Sequence, residues 1–399
     1  MKKIQFLLCA TCALFVLVLL PFASAFGEGP DDQGKTLRIG MISSITGVFS
    51  GALKDVADGT KSMADVINQK ESVTIKGQEY PIEIVIYDDQ SSPPSAVAAF
   101  NKLMQDGIRF MIPPFFVPNI LAIVPSMKEA KIVSMKPYLT IKELVTPDLP
   151  RSFASSTYFY NPPVSYDYLT KHYPNAKRVA IIAPDDPGMA TWFMLVKDEI
   201  QRSGLELVFD ERFRIGSEDF YPLLTKALEK KPDVIDIVAS IEPWSAGIIN
   251  QSRELGFKGP IFTSTAMLGD INLVNGMVDP SYAYDLFQPE PDPLSPKMPA
   301  IVKEFRAAVQ QKTGKPVISP TVSAFDAVYV LCQGIEKAQS FEVDKVTQAL
   351  EGMKDINTVH GKGRMAGADI FGINHVVRRP IALSGISDGK VWCEFTDRD

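Results

Sequence analysis

The chain has 399 residues, with 47 acidic and 41 basic side chains and a formal net charge of −6. This acidic balance disfavours nucleic acids and anionic membrane surfaces as partners. The length suits two domains of ordinary size, each able to bury its own core, better than it suits one compact domain.

The N-terminus has the pattern of a secretory signal peptide. Lys2 and Lys3 precede an apolar run over residues 6–20, and small residues follow up to Ala25. We therefore predict that residues 1–25 are a signal peptide cleaved after Ala25, which would place the mature protein in the periplasm. An uncleaved membrane anchor is the alternative. Cleavage would change the formal charge to about −8.

The cysteines and histidines give no pattern of a metal site. Cys332 and Cys393 lie outside the predicted signal peptide, and two cysteines are too few for a disulfide framework or a zinc site. One bridge between them is left open. The three histidines lack the spacing of metal ligands. We therefore predict neither a cofactor nor a metal.

From Thr36 onward, short apolar runs alternate with amphipathic stretches, which is the pattern of parallel strands joined by helices. The predicted strands are 37–42, 82–87, 110–112 and 132–135, and the predicted helices are 56–69, 95–106 and 119–129. This alternation indicates a doubly wound lobe.

The alternation restarts after a Pro- and aromatic-rich passage over residues 155–163. Strands are predicted at 179–183, 205–209, 234–239 and 261–263, with helices at 189–203, 221–230 and 246–255. Prolines break the pattern again over 288–299. Three helices follow at 301–313, 323–338 and 343–353, and we expect them to pack back onto the first lobe.

In doubly wound sheets, ligands bind where the loops leave the carboxyl ends of the strands. The loops of the first lobe carry Phe49, Phe116 and Tyr138, and the loops of the second carry Trp244. Such rings suit a small apolar pocket for an aromatic or branched carboxylate. Asp88 and Asp89, at a strand end, are expected to cap the next turn rather than to touch a ligand.

Several short motifs occur in an order and spacing typical of one family. They are Ser44-Ile45-Thr46-Gly47 with Gly59 and residues 64–68, Tyr87-Asp88-Asp89 with residues 93–103, and Pro232-Asp233-Val234 with residues 251–257. Together they resemble type I periplasmic solute-binding proteins of ABC transporters, in the branched-chain amino acid (Leu/Ile/Val)-binding family. The resemblance runs from Leu37 to Trp392.

The resemblance implies an α/β fold of two doubly wound, Rossmann-like lobes joined by a multi-crossover hinge. We place the first lobe at 36–155 plus 286–356 and the second at 156–285 plus 357–399. The hinge is expected near Ser155, Tyr284 and Asn357.

The resemblance also implies the ligand contacts. In this family, backbone amides and hydroxyls of the first lobe hold a carboxylate, and an acidic side chain of the second lobe holds an ammonium group. Apolar Phe116 and Val117 stand where serines are usual, and Thr265 stands at the position of the acid. Glu242 could replace that acid, and Pro187 stands where an aromatic residue is common. The predicted ligand-binding residues are Phe49, Ser50, Phe116, Val117, Asn119, Tyr138, Thr140, Pro187, Glu242, Trp244 and Thr265.

These features predict a protein that closes its lobes around a small carboxylate-bearing solute, an amino acid or an aromatic acid, and presents it to the permease subunits of an ABC importer. We expect a monomer that binds no nucleic acid. A ligand-sensing receptor with the same clamp is the first alternative. A secreted enzyme is the second, although Gly361-Lys362-Gly363 does not fit a dinucleotide fingerprint.

Overall fold

The protein is organised around two β-sheets. The computed structural model describes residues 35–70, 72–137, 142–155, 158–185, 190–240, 242–265, 271–314, 317 and 319–395. The predicted signal peptide, residues 1–25, lies outside these ranges.

The N-terminal part of the chain builds the first sheet. Its elements are β1 (Leu37–Ser43), α1 (Ser50–Lys70), β2 (Val73–Ile75), β3 (Gln78–Tyr80), β4 (Ile82–Asp88), α2 (Pro93–Gln105), β5 (Phe110–Ile112), α3 (Val117–Glu129), β6 (Val133–Lys136) and β7 (Ser152–Ala154). Five strands run parallel in the order β4-β1-β5-β6-β7, and β2 and β3 form a separate hairpin. Because β1 lies between β4 and β5, the winding direction of the sheet reverses beside β1.

The middle of the chain builds the second sheet with the same strand order. Its elements are α4 (Asn161–His172), β8 (Arg178–Pro184), α5 (Ala190–Arg202), β9 (Glu206–Phe213), α6 (Tyr221–Glu229), β10 (Val234–Ile237), α7 (Glu242–Glu254), β11 (Ile261–Phe262), α8 (Ile271–Met277) and β12 (Leu286–Gln288). The parallel order β9-β8-β10-β11-β12 reverses beside β8. The prediction of two doubly wound lobes is therefore confirmed.

Three further helices, α9 (Ala300–Thr313), α10 (Ser319–Ala338) and α11 (Val343–Glu351), return to the first lobe, as predicted. Helices α9 and α10 pack against α1, and α11 packs near β6. Phe305 and Phe325 from these helices are fully buried in one core cluster with Ile39 and Phe110 of the first sheet. The stripe of apolar residues in α9 thus faces this core.

The last strands divide between the two sheets. β13 (Ile356–Thr358), β14 (Gly361–Ala366) and β15 (Val376–Arg378), with the short helix α12 (Ala368–Phe371), extend the first sheet beyond β7. β16 (Ala382–Ser387) extends the second sheet antiparallel to β12, and β17 (Lys390–Phe395) pairs antiparallel with β16 at the edge of the sheet. The predicted lobe boundaries at 286 and 357 differ from this sheet membership, since β12 belongs to the second sheet and β13–β15 belong to the first. A short buried strand has the same sequence pattern in either sheet, and only its pairing with strands distant in sequence decides which sheet it joins.

The chain crosses between the sheets three times, over residues 155–160, 289–299 and 379–381. Ser155 lies in the first crossing, as predicted for the hinge. Tyr284 lies before β12 in the second lobe, and Asn357 lies within β13 in the first sheet, so these two hinge predictions are wrong. The other two crossings begin after Gln288 and Arg378.

The third crossing brings the carboxyl edges of the two sheets together. Arg378 ends β15 at the carboxyl edge of the first sheet. Ala382 begins β16, which runs antiparallel to β12 and so starts at the carboxyl edge of the second sheet. Three intervening residues can span at most about 14 Å between the two ends. Residues of the second and third crossings, including Glu290 and Arg379, line one small space together with Asn161 at the start of α4.

Local signals explain several helix boundaries. Ser92 caps α2, its side chain accepting a hydrogen bond from the Ser95 amide, and α2 then begins with two prolines. Helix α4 also has prolines in its first turn, although the sequence pattern predicted a break over residues 155–163. Proline is tolerated there because the first N–H groups of a helix have no intrahelical acceptor. Gly314 ends α9 in the left-handed conformation, with φ of 70°.

Candidate ligand-binding site

Each sheet has a switch point, where two neighbouring strands send their loops to opposite sides. In the first sheet it lies between β1 and β5, and in the second between β8 and β10. The crevice outside the carboxyl ends of such strands is where doubly wound folds bind ligands. The candidate site is therefore formed by the loops after β1, β5, β8 and β10 and by the loops next to them.

Asp88 organises the loop after β1. Its Oδ1 accepts hydrogen bonds from the amides of Ile45, Thr46 and Gln90 at 3.0, 3.2 and 2.9 Å, and its Oδ2 accepts from the Thr46 hydroxyl at 2.6 Å. Burial alone would raise the pKa of Asp88, but these hydrogen bonds outweigh it and hold the pKa below its usual value. The expected capping role of this carboxylate is confirmed.

Asp89 ties three loops of the first lobe together from a fully buried position. Its Oδ1 accepts from the Ser44 hydroxyl at 2.5 Å and from the Ser91 amide at 3.0 Å. Its Oδ2 accepts from the side-chain amide of Asn119 at 2.8 Å. Asn119 lies in the first turn of α3, so Asp89 fixes the start of α3 against the loops after β1 and β4.

Two aromatic rings meet at the switch point of the first lobe. The ring centroids of Phe49, after β1, and Phe116, after β5, are 3.8 Å apart. The ring of Phe115 lies 5.4 Å from that of Phe116 and packs against core clusters of both lobes. Phe49 remains 44 % exposed, so its ring is available to a ligand.

Helix α3 begins directly behind these rings. Its N-cap is Phe116, which makes no side-chain capping hydrogen bond. The first backbone N–H groups of a helix have no intrahelical partner and carry partial positive charge. No side-chain oxygen of the N-cap covers them. Because Pro118 at the second position has no N–H, an anionic group at the start of α3 would meet the amides of Val117 and Asn119.

Lys136, which the sequence analysis did not select, lies buried behind the loop that precedes α3. It ends β6, it is 1 % exposed, and its Nζ donates hydrogen bonds to the carbonyl oxygens of Pro114 and Phe115 at 2.7 and 3.0 Å. Burial lowers the pKa of this amine well below its usual value. A lysine next to a proline in a predicted loop is typical of an exposed side chain, so no sequence signal distinguished it.

The edge of the second lobe is held by buried hydroxyl and carboxyl groups. Thr265 is buried, and its hydroxyl oxygen accepts a hydrogen bond from the Ala239 amide at 2.9 Å. Asp236, also buried, accepts from the Tyr166 hydroxyl at 2.8 Å and from the Ser264 amide at 2.9 Å. Burial raises the pKa of Asp236 to about 6, opposed by these hydrogen bonds. The Thr265 hydroxyl thus joins the loops after β10 and β11.

Ala239 has an unusual backbone conformation at this edge. Its φ is +56°, in the left-handed region that disfavours side chains with a Cβ atom. The residue lies between β10 and α7, where the loop of the second switch point turns. Strained residues of this kind occur often at ligand sites.

The remaining predicted residues fall into two groups. Ser50 is half-buried at the start of α1, and Trp244 is half-buried in the first turn of α7, with its ring edge to face with Phe213 at 5.4 Å. Glu242 begins α7. Outside the described residues lie Tyr138, Thr140, Pro187 and the side chain of Glu242.

One of the sequence motifs lies far from this site. The motif over residues 251–257 lies at the opposite, amino-terminal edge of the second sheet, beside a surface cavity of about 700 Å³. There Arg253 donates hydrogen bonds to the carbonyl oxygens of Phe257, Gly259 and Tyr284 at 2.7–3.0 Å. This motif therefore stabilises the turn before β11 rather than a ligand.

Two further observations concern other kinds of site. In the described ranges, each helix is too short or too polar to cross a bilayer. Within the same ranges, His, Cys, Asp and Glu side chains form no group of three that could hold a metal ion. Cys332 and Cys393 are both free thiols in this structure, which leaves them unpaired.

Comparisons with known proteins place the chain in a family. The periplasmic binding protein family matches residues 36–390. The Leu/Ile/Val-binding protein BraC3 of Rhizobium johnstonii is 26 % identical over 337 residues, which are 82 % of this chain and 86 % of that protein.

Two solved structures have the same fold. The branched-chain amino acid transporter substrate binding protein LivJ of Streptococcus pneumoniae, in complex with isoleucine, superposes with a TM-score of 0.72 at 20 % identity, over 91 % of this chain and 99 % of that one. A solute binding protein of an ABC transporter from Rhodopseudomonas palustris, in complex with 3,4-dihydroxybenzoic acid, superposes with a TM-score of 0.73 at 18 % identity, over 91 % of this chain and 96 % of that one. With its two doubly wound sheets and three crossings, this chain belongs to the periplasmic binding protein family.

Proposed function

We propose that this protein captures a small carboxylate-bearing solute between the carboxyl edges of its two sheets and delivers it to the permease of an ABC importer. The observation that carries the proposal is the pair of rings of Phe49 and Phe116 at the start of α3. The rings offer an apolar surface, and the helix start offers N–H groups to an anion.

An aromatic carboxylate fits these features best. Its ring would pack against Phe49 and Phe116, and its carboxylate would face the first N–H groups of α3. In the second lobe, the Thr265 hydroxyl accepts a hydrogen bond from the backbone amide of Ala239, and Thr265 carries no charge to hold an ammonium group. The relative that binds 3,4-dihydroxybenzoic acid supports this choice.

Branched-chain amino acids are the second candidate. The relatives named as Leu/Ile/Val-binding proteins favour them, and Glu242 at the start of α7 would supply a carboxylate for the ammonium group. We expect that these ligands bind only if Glu242 takes over the role of the missing acid.

Capture would involve rotation of the lobes about the three crossings. A few residues at the ends of elements can absorb such a rotation, and the third crossing contains only residues 379–381. The solute would bind first to the helix start in the first lobe, and the second edge would then close over it. The protein would act as a monomer in the periplasm and perform no catalysis.

The test is a thermal-shift and calorimetric screen of the purified mature protein against benzoate, 3,4-dihydroxybenzoate, leucine, isoleucine and valine. A ligand at 100 times its dissociation constant should add about 2.7 kcal/mol to the free energy of unfolding. We expect the largest shift with an aromatic acid and recovery of the ligand unchanged. A screen in which none of these carboxylates shifts the transition would contradict the proposal, and conversion of the ligand would support an enzyme.

A matched pair of variants locates the site. Phe49→Ala should weaken binding of the best ligand by about 10-fold or more, because the ring would be covered by the ligand. Leu121→Ala, at a similarly exposed position on α3, should leave the affinity unchanged. Equal effects of both variants would place the ligand elsewhere.

Measurements in cells distinguish an import role from a sensing role. Deletion of the gene should abolish uptake of the radiolabelled ligand if the protein serves an importer. Normal uptake together with a lost transcriptional response to the ligand would favour the sensing receptor instead.

A further inference from the structure

We propose that Lys136 makes the first-lobe site select carboxylates over uncharged ligands of the same shape. This inference rests on the proposed function, because it concerns the ligand of the same site. Lys136 is not part of the loops that a ligand would touch, so it would act through its charge from behind the start of α3.

The position of the amine follows from its two hydrogen bonds. Nζ of Lys136 lies 2.7 Å from the carbonyl oxygen of Pro114 and 3.0 Å from that of Phe115. These residues directly precede Phe116, the N-cap of α3. The amine therefore lies immediately behind the helix start whose N–H groups are open to an anion, and both contribute positive charge to the same place.

Nζ of Lys136 bonds only to carbonyl oxygens among the described residues, and the buried carboxylate of Asp89, which contacts the first turn of α3, is already bonded to Ser44, Ser91 and Asn119. Among the described residues, no carboxylate forms an ion pair with Nζ, and the two carbonyl oxygens carry only partial charges. Strands β5 and β7 and the loop 113–116 contain no titratable side chain. Across β7, His375 and Glu351 bind each other at 2.9 Å. A buried ammonium group normally has a paired anion, which a carboxylate ligand would supply.

Binding of an anion and protonation of the amine would favour each other. Burial lowers the pKa of Lys136, because the charged form is poorly solvated. A carboxylate held at the start of α3 opposes that shift, and by linkage the protonated amine increases the affinity for the carboxylate. An uncharged amide of the same shape gains nothing from this coupling.

The alternative is that Lys136 only holds the loop 113–116 in place. Two variants separate the roles. Lys136→Gln keeps N–H donors for the two carbonyl oxygens but removes the charge, and Lys136→Met removes both. Lys128→Met, an exposed lysine in the last turn of the same helix α3, is the matched control.

The experiment measures dissociation constants by calorimetry for two acid and amide pairs, 3,4-dihydroxybenzoate with 3,4-dihydroxybenzamide and leucine with leucinamide. We expect wild type and Lys128→Met to bind the better acid about 30-fold more tightly than its amide. In both Lys136 variants this ratio should fall to about 3-fold or less, while the affinity for the amide stays within about 3-fold of wild type. Urea unfolding without ligand checks that each variant folds. If Lys136→Met does not fold, the ratio measured for Lys136→Gln tests the inference.

Three outcomes would overturn the inference. An unchanged ratio in Lys136→Gln would show that the charge is not used. Equal losses for acid and amide in Lys136→Met, restored in Lys136→Gln, would show a role in holding the loop. If wild type bound none of the carboxylates, the proposed function would fail and this inference with it, whereas carboxylate binding with an unchanged ratio overturns this inference alone.

Discussion

The two lobes have the same strand order but treat buried charge differently at their carboxyl edges. In the second lobe, the buried carboxyl group of Asp236 accepts hydrogen bonds from a hydroxyl and an amide of its own lobe. In the first lobe, the buried amine of Lys136 donates only to two carbonyl oxygens. Neither group forms an ion pair with another described residue, but the second edge buries an acidic group and the first edge buries a basic one. This difference suggests that the first lobe recognises the anion and the second mainly closes over it.

The carboxylates of the two edges differ as well. Asp88 and Asp89 in the first lobe accept several hydrogen bonds from loops, and the pKa of Asp88 is lowered. Asp236 in the second lobe has a raised pKa because burial dominates. The first edge thus relies on carboxyl groups that accept hydrogen bonds from its loops and order them around the proposed anion site.

The largest effect is expected from Asp89→Ala. The change leaves the Ser44 hydroxyl, the Ser91 amide and the Asn119 amide group without their acceptor in a buried place, which should lower the free energy of unfolding by about 4 kcal/mol. Urea denaturation measures this loss, and calorimetry should show weaker ligand binding because α3 is no longer fixed. Asp198→Ala, at an exposed position on α5, should change stability by less than about 0.5 kcal/mol. A loss as small as this in Asp89→Ala would mean that the first edge is not organised by this carboxylate.

The next effect is a pH dependence that should have opposite signs at the two edges. The pKa of Asp236 is about 6 in the folded protein and 3.8 ordinarily, so the folded state binds more protons between these values. Its contribution to stability is fully present below pH 3.8 and is lost as the pH rises through 6. From pH 4 to pH 8, wild type should therefore lose about 2 kcal/mol relative to Asp236→Asn, which cannot titrate. Urea unfolding at both pH values measures the difference.

Asp88→Asn is the counterpart of that variant in the first lobe. Because the pKa of Asp88 is lowered in the folded protein, its contribution is present at neutral pH and is lost as the pH falls through the folded pKa. Wild type should lose stability relative to Asp88→Asn toward low pH. If the stability of wild type relative to Asp88→Asn and relative to Asp236→Asn changed in the same direction with pH, the contrast between the edges would be wrong.

Much of the fold could be predicted because its signals are local. Buried runs bounded by turn residues gave β1 and β4 to within one residue at each end, and the motifs placed Phe49 and Phe116 on loops that do meet at a switch point. Sheet membership of β12 and β15 could not be predicted, because pairing over long sequence distances decides it. Helix α4 was missed because Pro162 and Pro163 were interpreted as a break.

The site was less accessible to sequence reasoning. Asn119 and Thr265 were selected as ligand contacts, yet their side chains bind Asp89 and the Ala239 amide within the protein. Whether they also contact a ligand stays a prediction. Lys136 was not selected, because its burial results from the packing of β5, β7 and the loop 113–116 around it. A pattern of residue types identifies which side chains lie near an edge, but not which of them are already engaged.

The smallest effect concerns the strained turn of the second edge. Ala239 has a φ of +56°, and its amide is held by the Thr265 hydroxyl at 2.9 Å. Glycine adopts this conformation without strain, so Ala239→Gly should raise the free energy of unfolding by about 1 kcal/mol or leave it unchanged. Ala99→Gly, at a buried position in the middle of α2, should instead lower it by about 1 kcal/mol.

Thermal and urea unfolding of both variants measure the two changes, and ligand calorimetry adds the functional readout. If the second edge mainly closes over the ligand, Ala239→Gly should keep the acid and amide ratio of wild type, since that ratio depends on the first lobe. Because glycine can leave the left-handed turn, closure should become less favourable, and acid and amide should lose affinity equally, by about 3-fold. A change in the ratio would mean that the loop after β10 also recognises the charge of the ligand, and the division of roles between the lobes would then be wrong.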